Sequence, residues 1–150
     1  VVKPLVESIV ATLARTPEGG RVKFENLVVQ DLCLPIDRTD LAEVLGNLIE
    51  NGARHAAGFV RISANNDRSS LVIEDDGEGI APIYLSRVIE RGARLDERGG
   101  AAGLGLAIVQ DVLDAYEWGL ELSRSDLGGL KATIAPQYPG VSAMPLRFQG

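Results

Sequence analysis

The chain has 150 residues, which suits one domain around one core, and 45% of them are hydrophobic, as in ordinary soluble proteins. Its net charge of −6, from 15 basic and 21 acidic residues, argues against nucleic acid as a partner, because that binding wants a basic face. No apolar run approaches the roughly 18 residues of a membrane helix and no charged-then-apolar signal segment opens the chain. The expectation is a soluble piece without direct membrane contact, which leaves open a membrane segment in a longer parent protein.

Val1–Arg15 places Leu5, Val6, Ile9, Val10, Ala11 and Leu13 at the spacing of an amphipathic helix, with Pro4 tolerated in the first turn. Thr16-Pro17-Glu18-Gly19-Gly20 stops it. Val22–Phe24 and Asp31–Leu34 read as short strands. Cys33, the single cysteine, excludes an internal disulfide and is expected as a small buried hydrophobe. After a turn at Pro35–Arg38, Asp37 or Thr39 can cap the next segment. Asp40–Ala57 carries the clearest helical pattern, with Leu41, Val44, Leu45, Leu48 and Ile49 in one apolar stripe.

Phe59–Ala64 and Leu71–Glu74 read as strands joined by the polar loop Asn65–Ser70, and Asp76–Gly79 as a turn. Ile83–Glu90 suits a short helix, and Arg91–Ala102, small, polar and rich in glycine, a mobile loop. Leu104–Tyr116 is a second strong helix. Strands near Leu120–Ser123 and Leu130–Ala135 would form a hairpin about Asp126-Leu127-Gly128-Gly129. This order fits helices packed on one face of a mixed, mostly antiparallel sheet. Residues 1–136 are expected as the domain and 137–150 as an irregular C-terminal tail.

Three groups of residues can carry chemistry. Glu43, Asn47 and Asn51 recur every four residues, so they project along nearly one helix face, offset from the apolar stripe. Two carboxamides and a carboxylate offer oxygen to a hard cation such as magnesium, with a nucleotide supplying further oxygens. Arg54 and His55 follow one turn later, where a cation can meet phosphate. A solvated polar face is the plain alternative. The second group is Asp75-Asp76-Gly77-Glu78-Gly79-Ile80, after a strand. Glycines let the backbone approach a flat ligand, and a carboxylate there can accept a hydrogen bond from the exocyclic amine of adenine. A plain turn stays open, whereas a calcium loop fails because the twelfth position from Glu74 is Leu85.

The third group is Gly103-Leu104-Gly105-Leu106, at a helix start that offers free amides to phosphate. Arg91, Arg94 and Arg98 lie just upstream, and in an acidic chain Arg94 is favoured for charge compensation beside phosphate. Neither a dinucleotide-binding strand–turn–helix nor a P-loop ending in Gly-Lys-Ser/Thr fits here.

Together, in this order, the groups resemble the N, G1 and G2 boxes of the GHKL ATPase superfamily. Leu45–His55 resembles the histidine kinase N box and Gly103–Val109 the histidine kinase G2 box; Glu74–Ile80 with Arg91–Arg94 is most similar to PhoQ-like sensor kinases. The resemblance implies a two-layer α/β sandwich, the Bergerat fold, holding Mg-ATP between the N-box helix and a lid loop. By position, Asn47 resembles the magnesium ligand and Asn51 and Arg54 resemble phosphate contacts. His55 takes the place of an aromatic residue that lies against the base. Asp75, with Gly77, Gly79 and Ile80, resembles the adenine-reading turn. Gly103, Leu104, Gly105 and Leu106 resemble the phosphate-side lid and helix start, and Glu43 the acidic position that assists phosphoryl transfer. The chain departs from the pattern with Gly52 for Ala, Arg54 for Lys, and Ala101-Ala102 where a polar lid residue is common.

The resemblance also implies γ-phosphoryl transfer to a histidine in a separate dimerisation domain of the same parent, with a response regulator downstream. The expected place is the cytoplasmic side of an inner-membrane sensor. The one histidine, His55, lies within the N box and is no candidate acceptor. Competing readings are an ATP-hydrolysing machine of the gyrase, mismatch-repair or chaperone kind, a serine kinase of the anti-sigma type, and a nucleotide-binding regulatory module without kinase activity.

Overall fold

The computed structural model describes residues 1–65, 69–78 and 100–137, with the backbone alone for residues 18 and 100–105. In chain order the elements are α1 (Val2–Leu13), α2 (Pro17–Gly20), β1 (Lys23–Asn26), α3 (Arg38–His55), β2 (Phe59–Ala64), β3 (Leu71–Asp75), α4 (Gly100–Asp114), β4 (Trp118–Arg124) and β5 (Leu130–Pro136). The strands form one open sheet in the order β1-β2-β3-β5-β4, parallel between β1 and β2 and antiparallel elsewhere. This is the expected two-layer α/β sandwich.

Strand periodicity divides the sheet into two faces. Ile62, Ile73, Ala132 and Leu122 stand in one cross-strand row, and Leu71, Ile134 and Leu120 in another. Both rows are buried in the single core, with Val44, Leu45, Leu48 and Ile49 of α3 and Leu106, Val109 and Leu113 of α4. The opposite face carries a polar row in register: Glu25, Arg61, Glu74, Lys131 and Ser123. Burying Asp75 follows from the same period, since it shares the core-facing side of β3 with Leu71 and Ile73 and is 3% exposed.

Helix α3 is terminated at both ends by identifiable contacts. The Asp37 carboxylate accepts from the Thr39 amide at 3.0 Å, which satisfies one of the free donors of the first turn. At the other end the Arg21 guanidinium donates to the carbonyls of Ala53, Arg54 and Ala57 at 3.1–3.2 Å, where free acceptors and the helix dipole favour a cation. Tyr116, just past α4, donates its hydroxyl to Asp40 and accepts from the Asp37 amide, tying the start of α3 to the end of α4.

Three expectations are corrected here. Asp31–Leu34 is not a strand: no neighbouring strand pairs with it, and the segment follows a turn at Gln30–Asp31. Leu32 is buried all the same, and its carbonyl accepts from the Val2 amide at 2.9 Å. Cys33 is exposed, because Leu32 and Ile36 take the core positions on either side of it. The loop expected through Ala102 ends sooner, since α4 already begins at Gly100. The Ile83–Glu90 helix, the rest of the 91–102 loop and the tail beyond residue 137 lie outside the described residues.

Candidate nucleotide site

The Asn-bearing face of α3 is where the four-residue spacing puts it. Asn47 is half-buried, and its Nδ2 donates to the Glu43 carbonyl at 2.8 Å. With the amide nitrogen tied back to the helix, Oδ1 is the end that can accept or ligate. Asn51, one turn on, is 8% exposed, and its Oδ1 is buried without a hydrogen-bond partner among the described residues. An unsatisfied buried oxygen costs about 1–3 kcal/mol, so it needs an explanation. A ligand donor or a cation would satisfy it. Among the described residues no three His, Cys, Asp or Glu side chains converge on a metal site. The Asn47 and Asn51 carboxamide oxygens are the groups on this face that could meet a hard cation.

Further along α3, Arg54 pairs with Glu50 at 3.2 Å, and both side chains are substantially exposed. Such an (i, i+4) surface pair is worth little, so the guanidinium is not committed to it. His55 is exposed. Its backbone carbonyl lies against Gly77, where any Cβ would stand inside van der Waals contact of it. Gly77 is thus required by close packing of the turn on the end of α3. A cavity of about 530 Å³ opens there, lined by Arg54, His55, Ala57, Asp76, Gly77 and Glu78. Glu43 is exposed and lines a different cavity, of about 520 Å³, with Asn47 and residues of α1.

Asp75 ends the central strand. Its Oδ1 accepts from the Gly77 amide at 2.8 Å and, more weakly, from the Leu130 amide at 3.4 Å. Loss of hydration raises its carboxyl above the ordinary value, and the Gly77 and Leu130 amides pull it back only part of the way. Both amides converge on Oδ1.

Helix α4 contributes less polarity than expected. It opens at Gly100, so Gly103, Leu104, Gly105 and Leu106 lie from the fourth helical residue onward, where amides enter the helix's own ladder, and not at the free helix start that was expected. Leu106 is 4% exposed and belongs to the core. Gly79, Ile80 and Arg94 lie outside the described residues.

Several structural supports were not expected. Asp76 Oδ1 accepts from the Ala57, Gly58 and Phe59 amides at 2.9–3.0 Å, binding the turn to the α3–β2 connection. Burial pushes its carboxyl up, but the three amides outweigh this and hold it below the ordinary value. Consecutive aspartates were the available signal. Gly129 donates its amide to the Asp75 carbonyl at 3.1 Å, and Ser125 donates its hydroxyl to Glu74 at 2.9 Å. Nothing local distinguished that segment from an ordinary hairpin turn.

Residues 36–139 match the family described as Histidine kinase-, DNA gyrase B-, and HSP90-like ATPase. The chain is 37% identical over 128 residues to the two-component sensor PhoQ of Pseudomonas aeruginosa, covering 84% of this chain and 29% of that protein. It is 43% identical over 105 residues to the sensor protein kinase CarS of the same species, covering 69% of this chain and 24% of that protein. The chain thus spans less than a third of the length of these relatives. Its fold is similar to that of the mycobacterial sensor histidine kinase MprB, with TM-score 0.73, 24% identity and coverage of 89% of this chain and 91% of that one.

Proposed function

The chain belongs to the histidine kinase-, DNA gyrase B- and HSP90-like ATPase family, and we propose that it is the ATP-binding domain of a two-component sensor histidine kinase. One observation carries the nucleotide reading. A buried carboxylate, Asp75, ends the central strand with one oxygen held by backbone amides, beside a turn packed on the end of the Asn-bearing helix. Likeness to PhoQ and CarS favours a sensor kinase over a serine kinase, an ATP-hydrolysing machine or a regulatory module.

In this reading Asp75 Oδ2 accepts from the exocyclic amine of adenine, and His55 lies against the base. Asn47 Oδ1 would ligate magnesium, with Asn51, Arg54 and Arg94 on the phosphate side, where the family resemblance also puts Gly103. Bound magnesium supplies charge neutralisation between the phosphates. Gly79 and Ile80 would complete the adenine turn and Leu104 and Gly105 the phosphate-side wall, with Leu106 supporting that wall from the core. Phosphoryl transfer relies on positioning and charge stabilisation more than on covalent help from the protein. Glu43, one turn from Asn47, is the residue to assist the incoming histidine.

The acceptor histidine belongs to a dimerisation domain of the parent protein, which hands the phosphoryl group to a response regulator. Residues 1–136 form the domain, on the cytoplasmic side of an inner-membrane sensor. Among the described residues no helix is long and apolar enough to cross a membrane. Titration calorimetry with Mg-ATP tests the reading. Binding that disappears in Asn47→Ala and weakens in Asp75→Asn is expected. Unchanged binding in both variants overturns it, and steady phosphate release by the chain alone would favour an ATP-hydrolysing machine instead.

A further inference from the structure

The tip of the β4–β5 hairpin approaches the end of β3 on both faces of the sheet. In the plane of the sheet the Gly129 amide donates to the Asp75 carbonyl at 3.1 Å, and on the core-facing side the Leu130 amide donates to Asp75 Oδ1 at 3.4 Å. On the opposite side, Ser125, itself 4% exposed, donates its hydroxyl to Glu74 Oε2 at 2.9 Å. The Arg61 guanidinium approaches the other Glu74 oxygen at 3.6 Å. Glu74 and Asp75 are adjacent, so two consecutive carboxylates grip one hairpin tip from opposite faces.

The fit at Gly129 is unusually close. A Cβ built there would stand inside contact distance of Asp75 Oδ1, 2.5 Å from the Asp75 carbonyl oxygen and 2.6 Å from the Gly77 amide nitrogen. All three atoms belong to the adenine-reading turn, and two of them are backbone. The neighbouring Gly128 has φ of 107° but no atom within 4 Å of such a Cβ. Gly128 is thus needed for the shape of the turn, and Gly129 for its approach to Asp75.

We propose that the hairpin tip, through Gly129 and secondarily Ser125, is a positioning element for Asp75 and so a determinant of adenine recognition. This rests on the reading of Asp75 given above. The tip occupies Asp75 Oδ1 and its carbonyl, which turns Oδ2 toward the ligand and fixes it there. A displacement of about 1 Å in a positioning group can cost on the order of a hundredfold in function.

The test compares binding of Mg-ATP with Mg-purine riboside triphosphate, an ATP analogue lacking the exocyclic amine. The 150-residue chain and its Gly129→Ala, Gly128→Ala, Ser125→Ala and Asp75→Asn variants are measured by calorimetry, with Tm recorded for each. Gly129→Ala is expected to lose about tenfold or more in ATP affinity while the analogue changes little, so that the ATP preference collapses. Ser125→Ala is expected to lose a few-fold on ATP alone. Gly128→Ala is expected to lower Tm and keep the preference.

Parallel loss of both ligands in Gly129→Ala, tracking Tm as in Gly128→Ala, overturns the proposal. If Gly129→Ala does not fold, Ser125→Ala decides, together with amide chemical shifts of Gly129 and Leu130 in the unsubstituted chain. Those amides should shift with ATP and not with the analogue; their silence overturns the proposal. If Asp75→Asn keeps the full ATP preference, the reading of Asp75 itself fails. If Asp75→Asn loses it while Gly129→Ala and Ser125→Ala do not, only the positioning role fails.

Discussion

Asp75 is buried with its carboxyl above the ordinary value, mainly through loss of hydration. An acid whose folded pKa is raised contributes stability that is present below the unfolded value and lost as pH rises through the folded one. At neutral pH the ionised Asp75 therefore costs the empty protein stability. Asp75→Asn keeps an oxygen to accept from Gly77 and Leu130 and removes the buried charge. Its expected Tm at pH 7 is equal to or above that of the parent, and its ATP affinity about tenfold or more lower, the worth of a charge-assisted hydrogen bond. In the proposed reading Asp75 accepts from adenine in its ionised form, so ATP affinity should fall on acidification earlier than for an ordinary aspartate, checked by calorimetry at stepped pH. Asp76 behaves oppositely: with its carboxyl held below the ordinary value, its contribution is lost only as pH falls through that lowered value. Asp76→Ala should cost about 2 kcal/mol in urea unfolding, since three amides lose a charged acceptor. The sequence pointed to Asp75 through its place between strand and glycines, but not to Asp76, whose partners are the amides of residues 57–59.

Helix α3 carries Gly46 and Gly52 in its interior, where glycine is poorer than alanine by about 1 kcal/mol. A Cβ at Gly52 would meet Ile73 and Val60 methyls at 3.7 Å, which is ordinary contact, and one at Gly46 would meet nothing within 4 Å. Gly52→Ala and Gly46→Ala should therefore each stabilise the protein by about 0.5–1 kcal/mol in chemical denaturation. Lower stability in Gly52→Ala would mean that the sheet cannot accept the methyl. Strong elements were legible from their period: the Asn face of α3, and strands β2 and β3, lie within a residue or two of expectation. Asp31–Leu34 was not, because a short apolar run looks the same whether it pairs with a neighbour or only drops Leu32 into the core. The start of α4 was misplaced for a similar reason, since small residues such as Gly100–Ala102 suit a loop as well as a first turn.

At the scale of the whole molecule, the one histidine is exposed at the end of α3, beside the turn that follows Asp75. Incubated with labelled ATP, the chain alone should stay unlabelled and should label a supplied dimerisation domain; robust label on the chain itself would contradict the proposed division of labour. The two-layer architecture was legible in the order and period of the elements, and the family in the resemblance of its three motifs, because both are local properties of the sequence. Tertiary structure decided which partners those residues have. The sheet register puts Asp75 on the buried face and Glu74 on the other, and the return of β5 beside β3 brings Gly129 and Leu130, more than fifty residues away, onto the Asp75 carboxylate and carbonyl. Contacts of that kind depend on chain closure over long separations, which no local pattern encodes.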